Sequence, residues 1–131
     1  MRASYLDASA LVKLIKPEAE TAALGLALGN VPIWISSELV AVELRCAARR
    51  VHPGLLERAD AALLNVELVE CTRAIQERAG MVFAPPLRGL DAIHAATALS
   101  VGEDIDAAYV YDGDLGAALA AEGVTVAAPG R

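Results

Sequence analysis

The chain has only two cysteines, Cys46 and Cys71. Neither has a CxxC partner or a nearby pair of histidines, which argues against a zinc site. Two small hydrophobic thiols packed in helices are expected instead, with no chemical role. Lysine is nearly absent, with Lys13 and Lys16 alone, both early. Long hydrophobic runs are missing too. Although 56% of residues are apolar and mean hydropathy is +0.44, charges, Gly or Pro break every stretch before the roughly 18 residues of a membrane span. No membrane segment is expected. The acidic Asp7 comes before an export signal could develop, so a cytoplasmic location is expected. An overall basic surface is also lacking: 11 Lys and Arg against 17 Asp and Glu leave a net charge of -6, which argues against general attraction to nucleic acid. Any such contact must be local, through bound cations or arginines around one site. Arg45, Arg49, Arg50, Arg73, Arg78 and Arg88 are the candidates.

What is present is an alternation of short β-type runs with longer helical ones over 131 residues, enough for one domain, 1–131, with its own core. Strands are predicted at Ala3–Leu6, Pro32–Ile35, Val66–Val69, Ala107–Tyr111 and Val124–Ala127. Helices are predicted at Ser9–Lys16, Glu18–Leu28, Ser37–Arg50, Pro53–Leu64, Thr72–Phe83, Leu90–Val101 and Asp114–Ala121. Residues 84–89 read as the one clear loop, and no repeat or linker is visible. The pattern is α/β: a central parallel sheet covered by helices on both faces, with ligands expected at the carboxyl ends of the strands.

Four acids stand out against that frame. Asp7 directly follows the first strand; it suits a helix N-cap, a ligand role, or both. Ser9 beside it is a cap or a hydrogen-bond donor near the site. Glu43 has Leu39, Val40, Cys46 and Ala47 as helical neighbours, so it points from an apolar face, while Glu38, Arg45 and Arg49 lie opposite. A carboxylate there needs a partner, either a metal or a cation such as Arg50. Asp91 opens a helix that is apolar nearly all round, which should be central and buried. His94, one turn on, reads as a packing histidine or a support for the site rather than a ligand. Asp112 and Asp114 bracket Gly113 after the fourth strand; without the other ligand positions this is not an EF-hand.

Residues 5–14 (Tyr5-Leu6-Asp7-Ala8-Ser9), 37–45 (Ser37 to Arg45 around Glu43), 90–98 (Leu90-Asp91-Ala92-Ile93-His94) and 111–115 (Tyr111-Asp112-Gly113-Asp114-Leu115), in that order, resemble the PIN-domain family, and within it the VapC-type toxins. The resemblance covers essentially the whole chain. It implies a PIN-like three-layer α/β fold, and an acidic site formed by Asp7, Glu43, Asp91 and Asp112 that holds Mg²⁺ or Mn²⁺ and cuts RNA. It also implies a VapB-type antitoxin partner and a homodimer or larger assembly with it. The antitoxin segment would lie across the early helices, where leucines such as Leu24, Leu26, Leu28, Leu55, Leu56, Leu63 and Leu64 exceed what a core needs. The sequence departs at Val110, where the family often has Thr or Ser; Asp114 is the residue that could compensate.

The residue types suit that chemistry. A divalent cation lets carboxylates meet a phosphodiester and lowers the pKa of attacking water. Without it, converging carboxylates repel one another, and at least one is expected to move towards protonation. A receiver domain would want a lysine near the last strand, and a dehalogenase-type phosphatase an Asp-x-Asp after the first. Neither is present. The alternative from another class is a PIN-like module that binds RNA or protein without cutting.

Overall fold

The computed structural model describes residues 2–81 and 86–131. The predicted helix end at Phe83 and the loop residues Ala84 and Pro85 lie outside the described residues. Five strands form one all-parallel sheet: β1 (Ala3–Leu6), β2 (Ile33–Ser37), β3 (Val66–Val69), β4 (Ile105–Tyr109) and β5 (Val126–Ala127), in the order β3-β2-β1-β4-β5. Seven α-helices are seen among the described residues: α1 (Ala8–Ile15), α2 (Thr21–Leu28), α3 (Val40–Val51), α4 (Leu55–Leu63), α5 (Arg73–Met81), α6 (Gly89–Ser100) and α7 (Gly113–Ala121).

β1 is buried along its whole length because it lies at the centre of the sheet with helices on both sides. Side chains alternate across a strand. Tyr5 therefore enters one core with residues of α5, α6 and α7, such as Ile75, Ala95 and Leu115. Leu6 enters the other with residues of α1 to α4, such as Leu11, Leu24, Leu44 and Ala59. The three-layer arrangement follows from these two cores. Fully burying a side chain such as Leu44, which is 0% exposed, contributes about 1.5–3 kcal/mol.

The strand order also locates the site. The chain steps outward from β1 to β2 and β3, then returns to lay β4 on the other side of β1. A crevice opens where the order reverses, at the carboxyl ends of β1 and β4. Their last residues, Leu6 and Tyr109, are register partners.

Several boundaries differ from the sequence reading. β2 continues to Ser37, which the helix period had claimed, because Ser36 and Ser37 pair with Leu68 and Val69. α3 starts three residues later, with the Ser37 hydroxyl accepting the Leu39 N–H at 3.2 Å. α2 starts at Thr21, since residues 17–20 form a link in which Glu18 N–H bonds the Thr21 hydroxyl and that hydroxyl donates to Lys13 C=O. β4 begins at Ile105 and ends at Tyr109, because a 3₁₀ turn at Gly102–Asp104 delivers Ile105 into register with Ala3. β5 shrinks to two residues. The cysteines are not packed in helices: Cys46 is exposed on α3, and Cys71 lies between β3 and α5. Of the surplus leucines, Leu24 and Leu28 are core, whereas Leu26 and Leu64 are 79% and 88% exposed. Leu55, Leu56 and Leu63 are partly buried against the second core. Among the described residues, no helix is long and apolar enough to cross a membrane.

Candidate functional site

Asp7 is the first residue beyond β1 and caps α1. One carboxylate oxygen, Oδ1, accepts the Ala10 N–H at 3.3 Å and the Ser9 hydroxyl at 2.6 Å. It is 4% exposed. Burial pushes its pKa from 3.8 up to about 6, the Ser9 hydrogen bond, His94 and the Ala10 amide opposing and the charge of Glu43 reinforcing the shift. Capping and proximity to the other acids therefore coexist in one carboxylate, as the sequence allowed.

Glu43 stands on α3, and there the expected environment needs correction. α3 has two apolar stripes. Val40, Leu44 and Ala48 form the buried one. Leu39, Val42, Cys46 and Ala47, which surround Glu43, line an open groove of about 520 Å³ that also takes in Val12, Arg50 and Leu90. Val42 is 62% exposed. The apolar face that singled out Glu43 is thus a groove wall, because a helix with apolar residues at more positions than one stripe needs can bury only one of them here. Of the two partners expected, a metal or Arg50, the cation alternative is not seen among the described residues. Arg50 lines the same groove, but the Glu43 carboxylate lies 2.6 Å from His94 Nε2.

Asp91 is in the first turn of α6, whose remaining residues from Ala92 to Ala98 are mostly buried, as its composition indicated. Asp91 is half-buried, and burial raises its pKa. Asp112 and Glu43 push it further up, while His94 and Arg88 pull it down. Asp112 caps α7, its Oδ1 accepting the Leu115 N–H at 2.9 Å. Asp114 follows in the first turn and, with Arg88, Asp91 and Leu87, lines a cleft of about 450 Å³ between α6 and α7. The four acids thus form a sequence of electrostatic neighbours, Asp7 to Glu43, Glu43 to Asp91 and Asp91 to Asp112, with Asp7 directly after β1 and Asp112 three residues after β4. Of the six candidate arginines, Arg50 and Arg88 border this region. Arg45 and Arg73 are taken up in exposed pairs with Asp60 and Glu77.

Among the described residues, no three His, Cys, Asp or Glu side chains stand close enough together to hold a metal ion as placed. The donor chemistry nevertheless fits a hard dication. All four candidate donors are carboxylates, the ligand type of Mg²⁺ and Mn²⁺. The mutual repulsion that helps raise Asp7 and Asp91 is the penalty a bound cation relieves.

The PIN domain family model matches residues 4–115. The chain belongs to the PIN-domain family. It is 40% identical over 131 residues to Ribonuclease VapC35 of Mycobacterium tuberculosis, covering 97% of each chain. The crystal structure of VapC20 from Mycobacterium tuberculosis, described as a sarcin-ricin loop cleaving toxin, shares the fold with a TM-score of 0.76 at 21% identity, over 94% of this chain and 97% of that one. A toxin-antitoxin complex from Klebsiella pneumoniae does so with a TM-score of 0.68 at 22% identity, over 86% of this chain and 89% of that one.

Within this PIN domain, the departure at Val110 has a structural setting. Val110 is 2% exposed and belongs to the core with α6 and α7. The hydroxyl at this corner comes from Ser9, which accepts the Tyr111 N–H at 2.9 Å and donates to Asp7. Ser9 thereby ties the end of the β4 segment to the residue after β1. Tyr111 is fixed further: its hydroxyl donates to Pro129 C=O at 2.8 Å, the Arg131 guanidinium donates to its carbonyl, and the Lys13 ammonium sits 4.6 Å from its ring centre. Sequence reasoning did not anticipate Tyr5, Lys13, Tyr111 or Arg131 around the PIN-domain site. For the two tyrosines a signal existed, since a buried phenol must find a hydrogen-bond partner.

Proposed function

We propose that this PIN domain, 1–131, is a divalent-metal-dependent endoribonuclease and the toxin component of a toxin-antitoxin pair. The observation that supports the proposal is that Asp7, Glu43, Asp91 and Asp112 feel one another's charge, with Asp7 and Asp91 both raised above their ordinary value by burial and by a neighbouring acid. Membership of the family and the ribonuclease name of the 40% identical relative support it.

Asp7 and Asp91 are the principal ligands in this reading, Glu43 a ligand or the base that orients water, and Asp112 a direct or water-mediated ligand. When bound, Mg²⁺ or Mn²⁺ supplies charge neutralisation for the phosphodiester and the leaving oxygen and makes water a better nucleophile. The chain's own residues do the rest. Asp7 is held at the mouth by its cap bonds and by Ser9. Glu43, bonded to His94, is placed to accept a proton from water on its unbonded oxygen. Arg88, beside Asp91 and Asp114, and Arg50, beside Glu43, can meet phosphates of the substrate. Asp114 is a water-positioning group that makes up for the missing hydroxyl at position 110.

The partner follows from the same reading. The groove beside Glu43, apolar with exposed Val42 and Leu90, suits a segment of an antitoxin laid across α1 and α3 with a basic side chain at the acidic mouth. The excess negative charge of the chain favours such a basic partner.

Asp91→Ala provides the test. Induced expression of the wild-type chain is expected to arrest growth and that of Asp91→Ala is not. The purified variant should melt cooperatively yet lose Mg²⁺-dependent RNA cleavage by more than about a hundredfold, beyond the loss usual for residues that only support a ligand. Undiminished cleavage by Asp91→Ala would sink the assignment, and a folded wild-type chain that binds RNA without cutting it would favour the binding module.

A further inference from the structure

Glu43 is held from behind. His94 Nε2 lies 2.6 Å from Glu43 Oε1, and the other ring nitrogen, Nδ1, lies 2.6 Å from the Tyr5 hydroxyl. That hydroxyl accepts the Ser37 backbone N–H at 3.2 Å. A phenol has one proton to give. With Tyr5 donating to Nδ1, the ring proton resides on Nε2 and is donated to the Glu43 carboxylate, so one consistent direction runs from the sheet to the acid.

The three residues belong to β1, α6 and α3, 89 and 51 positions apart along the chain. Tyr5 is 0% and His94 2% exposed, and their rings meet edge to face with centres 5.8 Å apart. Both are immobilised by core packing. Glu43, by contrast, is a flexible side chain on a groove wall, 20% exposed. A histidine needed only for packing would be satisfied by backbone carbonyls. This one gives its outward donor to an acid of the site and occupies a single oxygen, leaving Oε2 for another partner.

We infer that His94, braced by Tyr5, is a positioning residue for Glu43: it selects the carboxylate's rotamer and sets which oxygen is presented to the acidic mouth. The inference rests on the assignment of Glu43 to the nuclease site. It extends the pattern in which a group behind a ligand fixes that ligand's orientation, here with an inverted order, the histidine behind the carboxylate.

The test compares His94→Phe, which fills the space without a donor, His94→Gln, whose amide can still donate, Tyr5→Phe, Glu43→Gln, and the double variant His94→Phe with Glu43→Gln. Turnover and KM on a single-stranded RNA, Mn²⁺ affinity by calorimetry and melting temperature are measured for each. In His94→Phe, turnover and Mn²⁺ affinity should fall about ten- to a hundredfold with KM for RNA little changed. Tyr5→Phe should lose about two- to tenfold, and His94→Gln should recover most of the loss. In the Glu43→Gln background, His94→Phe should lower Mn²⁺ affinity by less than about twofold, because coupled residues are not additive. Wild-type turnover and Mn²⁺ affinity in His94→Phe would overturn the inference. If that variant does not fold, Tyr5→Phe, which loses one oxygen atom, decides in the same way. A full effect of His94→Phe in the absence of the Glu43 carboxylate would also overturn it. Wild-type cleavage by Glu43→Gln would overturn the assignment of Glu43 and this inference with it, whereas loss in Glu43→Gln alone leaves the nuclease reading standing and removes only the role of His94.

Discussion

Replacing Asp7 with asparagine is expected to reduce RNA cleavage by about a thousandfold, equivalent to roughly 4 kcal/mol of transition-state stabilisation, and at neutral pH to make the protein more stable. The substitution separates the two roles of the residue. Asparagine caps a helix as well as aspartate does, and its side-chain oxygen can still accept from Ala10 and Ser9, the two donors Asp7 serves. Only the charge is lost. That charge is unfavourable to the fold, since burial raises the Asp7 pKa from 3.8 to about 6. The carboxyl binds its proton more tightly folded than unfolded. The stability associated with this group is therefore complete below pH 3.8 and is lost as the pH rises through about 6, by at most about 3 kcal/mol for a shift of this size. Metal-free wild type should accordingly melt at progressively lower temperature over that window. The Asp7→Asn protein should do so less, retaining only what other raised acids such as Asp91 contribute, and should melt several degrees higher at pH 7.5. Thermal scans across pH, paired with a cleavage assay, check both halves. A variant that is less stable and still cleaves would leave Asp7 a helix cap and nothing more. The expected gain in stability with loss of function is the usual trade at a site built from groups that the fold alone would not choose.

The second large effect is that of metal. Chelation should reduce cleavage to background, and Mg²⁺ or Mn²⁺ should restore it. Because Asp7 and Asp91 hold protons more tightly than free carboxylates do, Asp7 at about 6 and Asp91 raised by burial and by Asp112, protons and metal compete for their oxygens. Apparent Mg²⁺ affinity is expected to be constant above neutral pH and to weaken below about pH 6, by up to about tenfold per pH unit for each proton displaced. Calorimetric titrations at several pH values measure this. An affinity independent of pH would mean that the cation binds away from Asp7 and Asp91.

Much of the fold was legible because buried parallel strands are short apolar runs between helical periods, and β1 and β3 were placed to the residue. The boundaries that moved did so for reasons that lie elsewhere in the chain. Ser37 reads as helical by its neighbours but is held in β2 by pairing with Val69. The start of β4 depends on a 3₁₀ turn and on register with Ala3. For the site, the strand-end rule pointed to Asp7 and Asp112, and periodicity pointed to Glu43. Its apolar neighbourhood proved to be a groove wall rather than the core, since a helical period identifies which residues share a face without saying what covers it. The connection from Tyr5 through His94 to Glu43 could not be read at all, because each partner is separated from the next by more than 50 positions and only the fold brings β1, α6 and α3 together, the two helices belonging to the cores on opposite faces of the sheet.

In the proposed site, Asp7, Glu43, Asp91 and Asp112 surround one metal centre. A crystal of the protein grown with Mn²⁺ and examined by anomalous scattering tests it most directly. A manganese peak is expected at the carboxyl ends of β1 and β4, within about 2.0–2.3 Å of oxygens from Asp7 and Asp91, with Glu43 and Asp112 in contact directly or through water. A peak bound elsewhere, or none at these carboxylates in protein that cleaves RNA with Mn²⁺, would contradict it.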